Sequence, residues 1–188
     1  KDMDDFDLTP TNNFVAALWT GYFNGIAKTN QALKALETAK LDEDLKLRYQ
    51  AEVRFFRGYY YFNLVRWFGG VPKVLKVPLD AYEANNDPVY QTRATPDEIY
   101  ALIIEDLTFA KENLLIKGVM PVGRVTKGTA TAMLAKVYLT RKNWQEAYTL
   151  SQEVISSGSY SLLPDYSEIW RQVGDRSNEA IFEVQTGV

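Results

Sequence analysis

For chemistry the chain offers carboxylates, lysines, tyrosines and hydroxyls, because its 188 residues include no histidine and no cysteine. That removes Ser-His-Asp and Cys-His catalysis, and zinc sites of the Cys/His type. Two facing carboxylates are the apparatus of glycoside hydrolysis, and 24 acids make a chance pair easy to draw. Most of these acids fall on the outer faces of amphipathic helices, so an enzyme is not expected. Asp4, Asp5 and Asp7 supply oxygen for a calcium ion, but their spacing lacks the glycine and the distal glutamate of an EF-hand loop. No metal site and no cofactor are expected. Phe6, Asn12, Asn13 and Trp19 suit a different task and are the candidate ligand-binding residues. Aromatic faces stack on the apolar faces of sugar rings, and amides bond sugar hydroxyls. The competing readings, which the pattern favours, are a core position for Trp19 and a plain solvated loop for the other three. Tyr82, Asn85, Asn86 and Tyr90 form a second set under the same competition.

The elements that must position these groups are helical. The most apolar run is 51–68, where Val, Phe, Tyr, Leu and Trp predominate and leave no wide polar face at 100° per residue. It reads as a helix buried on most sides, stopped by Gly69, Gly70 and Pro72. Tyr59, Tyr60 and Tyr61 within it read as core or interface, not as a binding platform. Arg57 falls among the apolar residues of its wheel, and a buried guanidinium needs a carboxylate or several carbonyls. The expected partner is Asp106, which sits beside Ile99 on an apolar stripe, with Glu105 as the fallback.

Upstream, Thr9-Pro10 reads as the entry to an amphipathic helix reaching about Ala39, with the stripe Phe14, Leu18, Trp19, Tyr22, Ile26, Leu33 and Leu36. Asn30 shares that stripe and is expected to bond a neighbouring backbone. Leu41 to Lys46 reads as a turn into the central helix. Residues 69–95 are punctuated by Pro72, Pro78 and Pro88 and show no helical period, so they read as a long excursion. Thr95-Pro96-Asp97-Glu98 is a strong helix start, and the stripe Ile99, Ile103, Leu107, Ala110 and Leu114 follows it. Further helices are expected from about Thr126 to Arg141 and from Trp144 to about Ser156, the latter capped by Asn143. Glu179 to Gln185 reads as a short strand or extended segment.

Leu134, Ala135, Tyr138 and Ala147 have the spacing of a tetratricopeptide unit, in which small residues let two antiparallel helices approach. Tyr138 and Trp144 are expected to fill the gaps. Such pairs cannot bury their faces alone, so they stack. The fold expected is therefore all-α, in tetratricopeptide-like helical pairs with long irregular loops and a short C-terminal strand. One domain suits the length, and 46% apolar with 24% charged residues is ordinary for a globular chain. A net charge of −3 with no basic run makes nucleic acid a poor partner. The sequence contains no run of about 18 apolar residues, the length needed to span a membrane as a helix.

Ala51-Glu52, Arg54-Phe55-Phe56-Arg57-Gly58-Tyr59-Tyr60-Tyr61-Phe62, Leu64 and Phe68-Gly69-Gly70-Val71-Pro72 resemble the signature helix of SusD/RagB-like proteins. Thr95-Pro96-Asp97-Glu98-Ile99-Tyr100, Gly123-Arg124-Val125-Thr126, Trp144-Gln145-Glu146-Ala147, Leu163-Pro164-Asp165-Tyr166 and Glu179-Ala180-Ile181-Phe182 continue the resemblance in family order. Gly58 stands where a small residue, commonly Ala, is usual.

The resemblance implies a cell-surface glycan-binding protein that is not an enzyme. It implies a SusC-like TonB-dependent transporter and an oligo- or polysaccharide as partners, and an outer-membrane location through a lipid anchor. It implies that residues 1–188 are a single N-terminal helical domain of a longer protein, with the lipid-bearing cysteine before Lys1 and an irregular half after Val188. Loops near Phe6, Asn12 and Asn13 would contribute to the ligand site. The alternative is a tetratricopeptide adaptor that binds a partner peptide through Lys127, Lys136 and Arg141. The long 69–95 excursion argues against it, since regular repeats have short turns.

Overall fold

Asp42 opens the central helix. Its carboxylate accepts the backbone N–H groups of Asp44 and Leu45 at 3.1 and 3.3 Å, and Glu43 and Asp44 complement the positive end of the helix dipole. In the computed structural model, which describes residues 9 and 12–184, this helix (α2, Glu43–Phe68) ends at Gly69. Gly69 has φ +68°, a region that side-chain-bearing residues rarely enter. Leu45 and Lys46 are therefore already helical, and the expected turn is confined to the residues before Glu43.

The preceding helix, α1 (Asn13–Thr38), starts later than the sequence suggests. Asn12 caps it, accepting from the Phe14 N–H at 2.9 Å, while the Asn12 N–H donates to the Thr9 carbonyl. Residues 69–95 are not wholly irregular either. A short helix, α3 (Ala81–Asn86), and a 3₁₀ turn at Pro88–Tyr90 occupy their middle. Six residues without an apolar stripe give no period to read. Asp80 caps α3 through the Glu83 N–H at 2.8 Å.

Thr95 and Glu98 form a capping box at the start of α4 (Pro96–Asn113), and Ile99, Ile103, Leu107, Ala110 and Leu114 are all buried. Then follow α5 (Lys127–Thr140), capped by Thr126, and α6 (Trp144–Ser156). Asn143 precedes α6 but makes no side-chain cap bond. The main packing runs α1 on α2, α2 on α4, α4 on α5 and α5 on α6, a stack of helices with no sheet among the described residues. Ala135 and Ala147 are buried where α5 and α6 meet, but Trp144 is exposed and fills no gap.

Arg57 joins α2 to α4. Its Nε and Nη2 donate to the two Asp106 oxygens at 2.7 and 2.8 Å, and its Nη1 donates to Asn30 Oδ1 at 3.2 Å. Asn30 Nδ2 in turn donates to the Val74 carbonyl at 3.0 Å, so one buried network ties α1, α2, α4 and the start of the excursion. Burial pushes the Asp106 carboxyl up, and the Arg57 guanidinium pulls against that push. Glu105 faces Arg54 instead, at 3.5 Å. One turn along, Gly58 brings the two helices close: a Cβ there would lie 3.1 Å from Leu107 Cγ.

Beyond α6 the chain makes two 3₁₀ turns and then an extended segment. The expected strand at 179–185 is not formed within the described residues, because no neighbouring strand is there to pair with it. Instead the Ile181 carbonyl accepts from Thr129 Oγ1 at 3.1 Å, and Phe182 packs on Phe55 and Phe56.

Candidate functional site

The candidate site is a groove between α1 and the first part of the excursion. Trp19 projects from α1 one helical turn before Phe23. Its ring meets Phe23 at 4.8 Å and the edge of Phe68 at 5.1 Å, and the Arg93 guanidinium lies 5.6 Å from its centroid. Arg93 is held by the carbonyls of Phe68 and Gly70 at 3.1 and 2.7 Å. The opposite wall is the 72–78 segment. The Tyr61 hydroxyl fixes it by accepting from the Val74 N–H at 2.7 Å and lying 3.0 Å from the Val74 carbonyl. Burial raises the Tyr61 phenol above its ordinary value, so it stays a neutral donor.

The groove encloses about 270 Å³, just below the range of about 300–1,000 Å³ usual for small-ligand sites. Trp19, Phe23, Pro72, Pro78 and Tyr90 supply apolar faces, and Gln31 and Lys76 supply polar groups. The Tyr90 hydroxyl is enclosed and has no hydrogen-bond partner among the described residues. Burial, and then the Glu83 charge, push its pKa up. Lys76 sits 5.8 Å from the Tyr90 ring centroid and pairs with Glu83 and Asp87 at 2.5 and 2.7 Å. Neither carboxylate lines the groove. Aromatic faces, an amide and an ammonium make a surface for holding a polyhydroxylated ligand.

Among the residues picked from the sequence, the structure brings Trp19 and Tyr90 together in this groove. Asn12 is a largely buried cap and Asn13 an exposed first-turn residue, and neither lines the groove. Phe6, Asp4, Asp5 and Asp7 lie outside the described residues. Tyr82 is exposed on α3, and the Asn85 and Asn86 amides donate back to the Ala81 and Tyr82 carbonyls. Gln31 and Lys76 were missed. Gln31 extends the stripe Trp19, Phe23, Ala27 by four residues, which was a readable signal, whereas Lys76 is placed only by the path of the loop. Arg141 of the adaptor reading is paired with Asp97 at 2.9 Å and stacks 4.9 Å over Tyr100.

A second cavity, of about 380 Å³, lies under residues 176–183 and is walled by Lys117, Met120, Arg124 and Phe182. Lys117 Nζ donates there to the Ser177 and Ala180 carbonyls at 2.8 and 3.1 Å, clasping the extended segment.

Residues 2–139 match the SusD-like family model described as starch-binding and associating with the outer membrane. The chain is 32% identical over 176 residues to SusD-like protein P2 of Formosa agariphila, covering 90% of this chain and 33% of that protein. It is 26% identical over 154 residues to the starch-binding protein SusD of Bacteroides thetaiotaomicron, covering 79% of this chain and 26% of that one. Among solved structures it resembles a laminarin-binding SusD-like protein at 32% identity and TM-score 0.79, covering 88% of this chain and 36% of that one. A SusD-like protein of Bacteroides fragilis superposes at TM-score 0.85 and 29% identity over 97% of this chain and 36% of its own. The chain belongs to the SusD-like family, and its helical stack is the fold of that family. It spans about a third of the length of the curated relatives it matches.

Proposed function

We propose that this chain is the N-terminal helical domain of a cell-surface glycan-binding protein that captures an oligo- or polysaccharide without chemistry and works with a SusC-like TonB-dependent transporter. In the full-length protein a lipid on a cysteine before Lys1 holds it at the outer membrane. Family membership carries this reading, strengthened by a laminarin-binding relative of the same fold at 32% identity. Within the chain, Trp19 and Tyr90 are the aromatic faces offered to a sugar and Gln31 the amide offered to its hydroxyls. Phe6, Asn12 and Asn13, which precede Trp19 in the chain, are further candidate ligand contacts beyond those of the groove. Arg57 and Asp106 act as scaffold, holding α1, α2 and α4 in register behind the groove.

Isothermal titration of the full-length protein against laminarin, starch and xylogluco-oligosaccharides tests it. Binding to one of these, weakened by Trp19→Ala with the fold intact by circular dichroism, is expected. Release of reducing ends by the purified protein, abolished by substituting a single carboxylate, would overturn the capture mechanism. Binding of short acidic peptides with no glycan binding would favour the adaptor.

A further inference from the structure

The second cavity, of about 380 Å³, falls inside the usual range for small-ligand sites, and the groove at Trp19 shares none of its lining residues. Part of its wall is apolar: Met120, Pro121 and Val122 from the loop between α4 and α5, and Phe182 from the extended segment. The Phe182 ring packs on Phe55 and Phe56 and is still 36% exposed. The charged part of the wall is mainly cationic. Lys117, Arg124 and Arg176 face one carboxylate, that of Glu183. Arg124 is neutralised from outside the lining by Glu52, which accepts from its Nε at 2.7 Å. Lys117 is held differently. Its Nζ commits two of three N–H groups to the Ser177 and Ala180 carbonyls, which carry no net charge. Burial pushes its pKa below the ordinary lysine value, and the Glu183 charge pulls the other way. Arg176 stands in the left-handed region at φ +56°, with its backbone N–H donating to the Glu183 carboxylate. Its guanidinium enters no ion pair among the described residues. Setting Glu52 and Glu183 against the three cations leaves one positive charge at a partly enclosed site.

That combination selects a ligand with one negative charge and a flat or apolar body. A carboxylate meets the third Lys117 N–H and the Arg176 guanidinium in charge-assisted hydrogen bonds, and a ring lies against Phe182 and Met120. The Asn178 amide and the Ser159 hydroxyl line the same space and serve the ligand's remaining oxygens. A neutral sugar leaves the surplus charge unanswered. An inorganic dianion overshoots it and leaves the apolar wall uncovered.

We propose that the cavity between the 117–126 loop and residues 176–183 is a second binding site, for a monocarboxylate carried on a ring, with Lys117 and Arg176 holding the carboxylate and Phe182 facing the ring. A uronic acid unit and a free aromatic acid share this chemistry, so the test uses glucuronate and benzoate, with glucose as the neutral control. Isothermal titration of the purified full-length protein is expected to show binding of at least one acid, no binding of glucose, and weakening as salt is added. Glucuronate alone assigns the ring to a sugar, and benzoate alone to an aromatic acid. Arg176→Asn removes the charge and keeps a residue type that tolerates left-handed backbone. It should weaken acid binding about tenfold, with the fold intact by circular dichroism. Failure of both acids to bind overturns the proposal. So does glucose binding as well as glucuronate, binding indifferent to salt, or binding unchanged in Arg176→Asn. Loss of acid binding on saturation with laminarin would also overturn it, by placing the acid in the Trp19 groove. Acid binding in a protein that binds no glycan would leave this inference standing and sink the function proposed above. Glycan binding with neither acid bound would do the reverse.

Discussion

Two charged clusters hold neighbouring parts of this molecule, and they differ in what surrounds them. Arg57 and Asp106 meet in the interior, with Asp106 fully buried and an amide on the remaining guanidinium nitrogen. Lys76, Glu83 and Asp87 meet at the surface of the 69–95 excursion, with the Lys76 side chain 49% exposed. Distances in the two clusters are alike, so geometry does not separate them. Solvent does: a buried charge that loses its partner keeps its desolvation cost, while an exposed one recovers water. The first cluster therefore fixes how α2 meets α4, and the second only trims a loop.

The largest expected effect follows from the interior cluster. Arg57→Met leaves Asp106 with only Arg54, 3.8 Å away, and should destabilise the domain by about 3–5 kcal/mol in urea unfolding. Arg57→Met combined with Asp106→Leu removes both buried charges and should recover most of that loss. If the double variant is no better than the single one, the pair is not the coupled unit that the comparison requires.

A second test concerns the pinch at which the excursion leaves and returns. The Ala94 N–H bonds the Val71 carbonyl at 2.9 Å, and a Cβ on Gly70 would come within 2.3 Å of the Ala94 carbonyl oxygen. Gly70→Ala should cost roughly 1–3 kcal/mol, since backbone and not a flexible side chain must move. A neutral result would show that the excursion is not anchored at its base. Thr95→Ala, immediately after that pinch, should cost about 1 kcal/mol by removing the α4 cap, and thermal melting would read it.

Most of this scaffold was legible in the chain. Helix faces follow a 3.6-residue period, so the α4 stripe and the opposition of Arg57 to Asp106 could be drawn from a wheel. Caps were legible where a Thr-Pro-Asp-Glu run states them, and less so at α1, where Asn12 and not Thr9 takes the first N–H. The groove was only half legible. Trp19 and Tyr90 are 71 positions apart, and no local period says that residues 72–78 fold back against α1. The Tyr61 hydroxyl and the Asn30 amide set that path, and bonds of this long-range kind leave no trace in spacing. Of the two readings of 179–185, strand or extended segment, the strand failed for the same reason in reverse: Ile181, Phe182 and Val184 have strand-like composition, but a strand needs a neighbour, and the described residues supply none.

The surface cluster gives the smallest and most discriminating prediction. The Glu83 carboxyl is held below the usual carboxylate range first by the Leu79 N–H and then by Lys76. Asp87 is held low first by Lys76 and then by the Val89 N–H. Both pKa values are lower folded than unfolded, so their contribution is present above the unfolded values of about 3.9 and 4.3 and fades as pH falls through the folded ones. Lys76→Ala should leave the melting temperature at neutral pH almost unchanged, because the lysine is solvent-exposed. In a carboxyl-resolved NMR titration it should raise Asp87 more than Glu83, since Glu83 keeps its strongest bond. Equal shifts at the two acids would mean that the lysine, and not the backbone, organises this turn, and the contrast between a structural interior pair and a dispensable surface one would narrow.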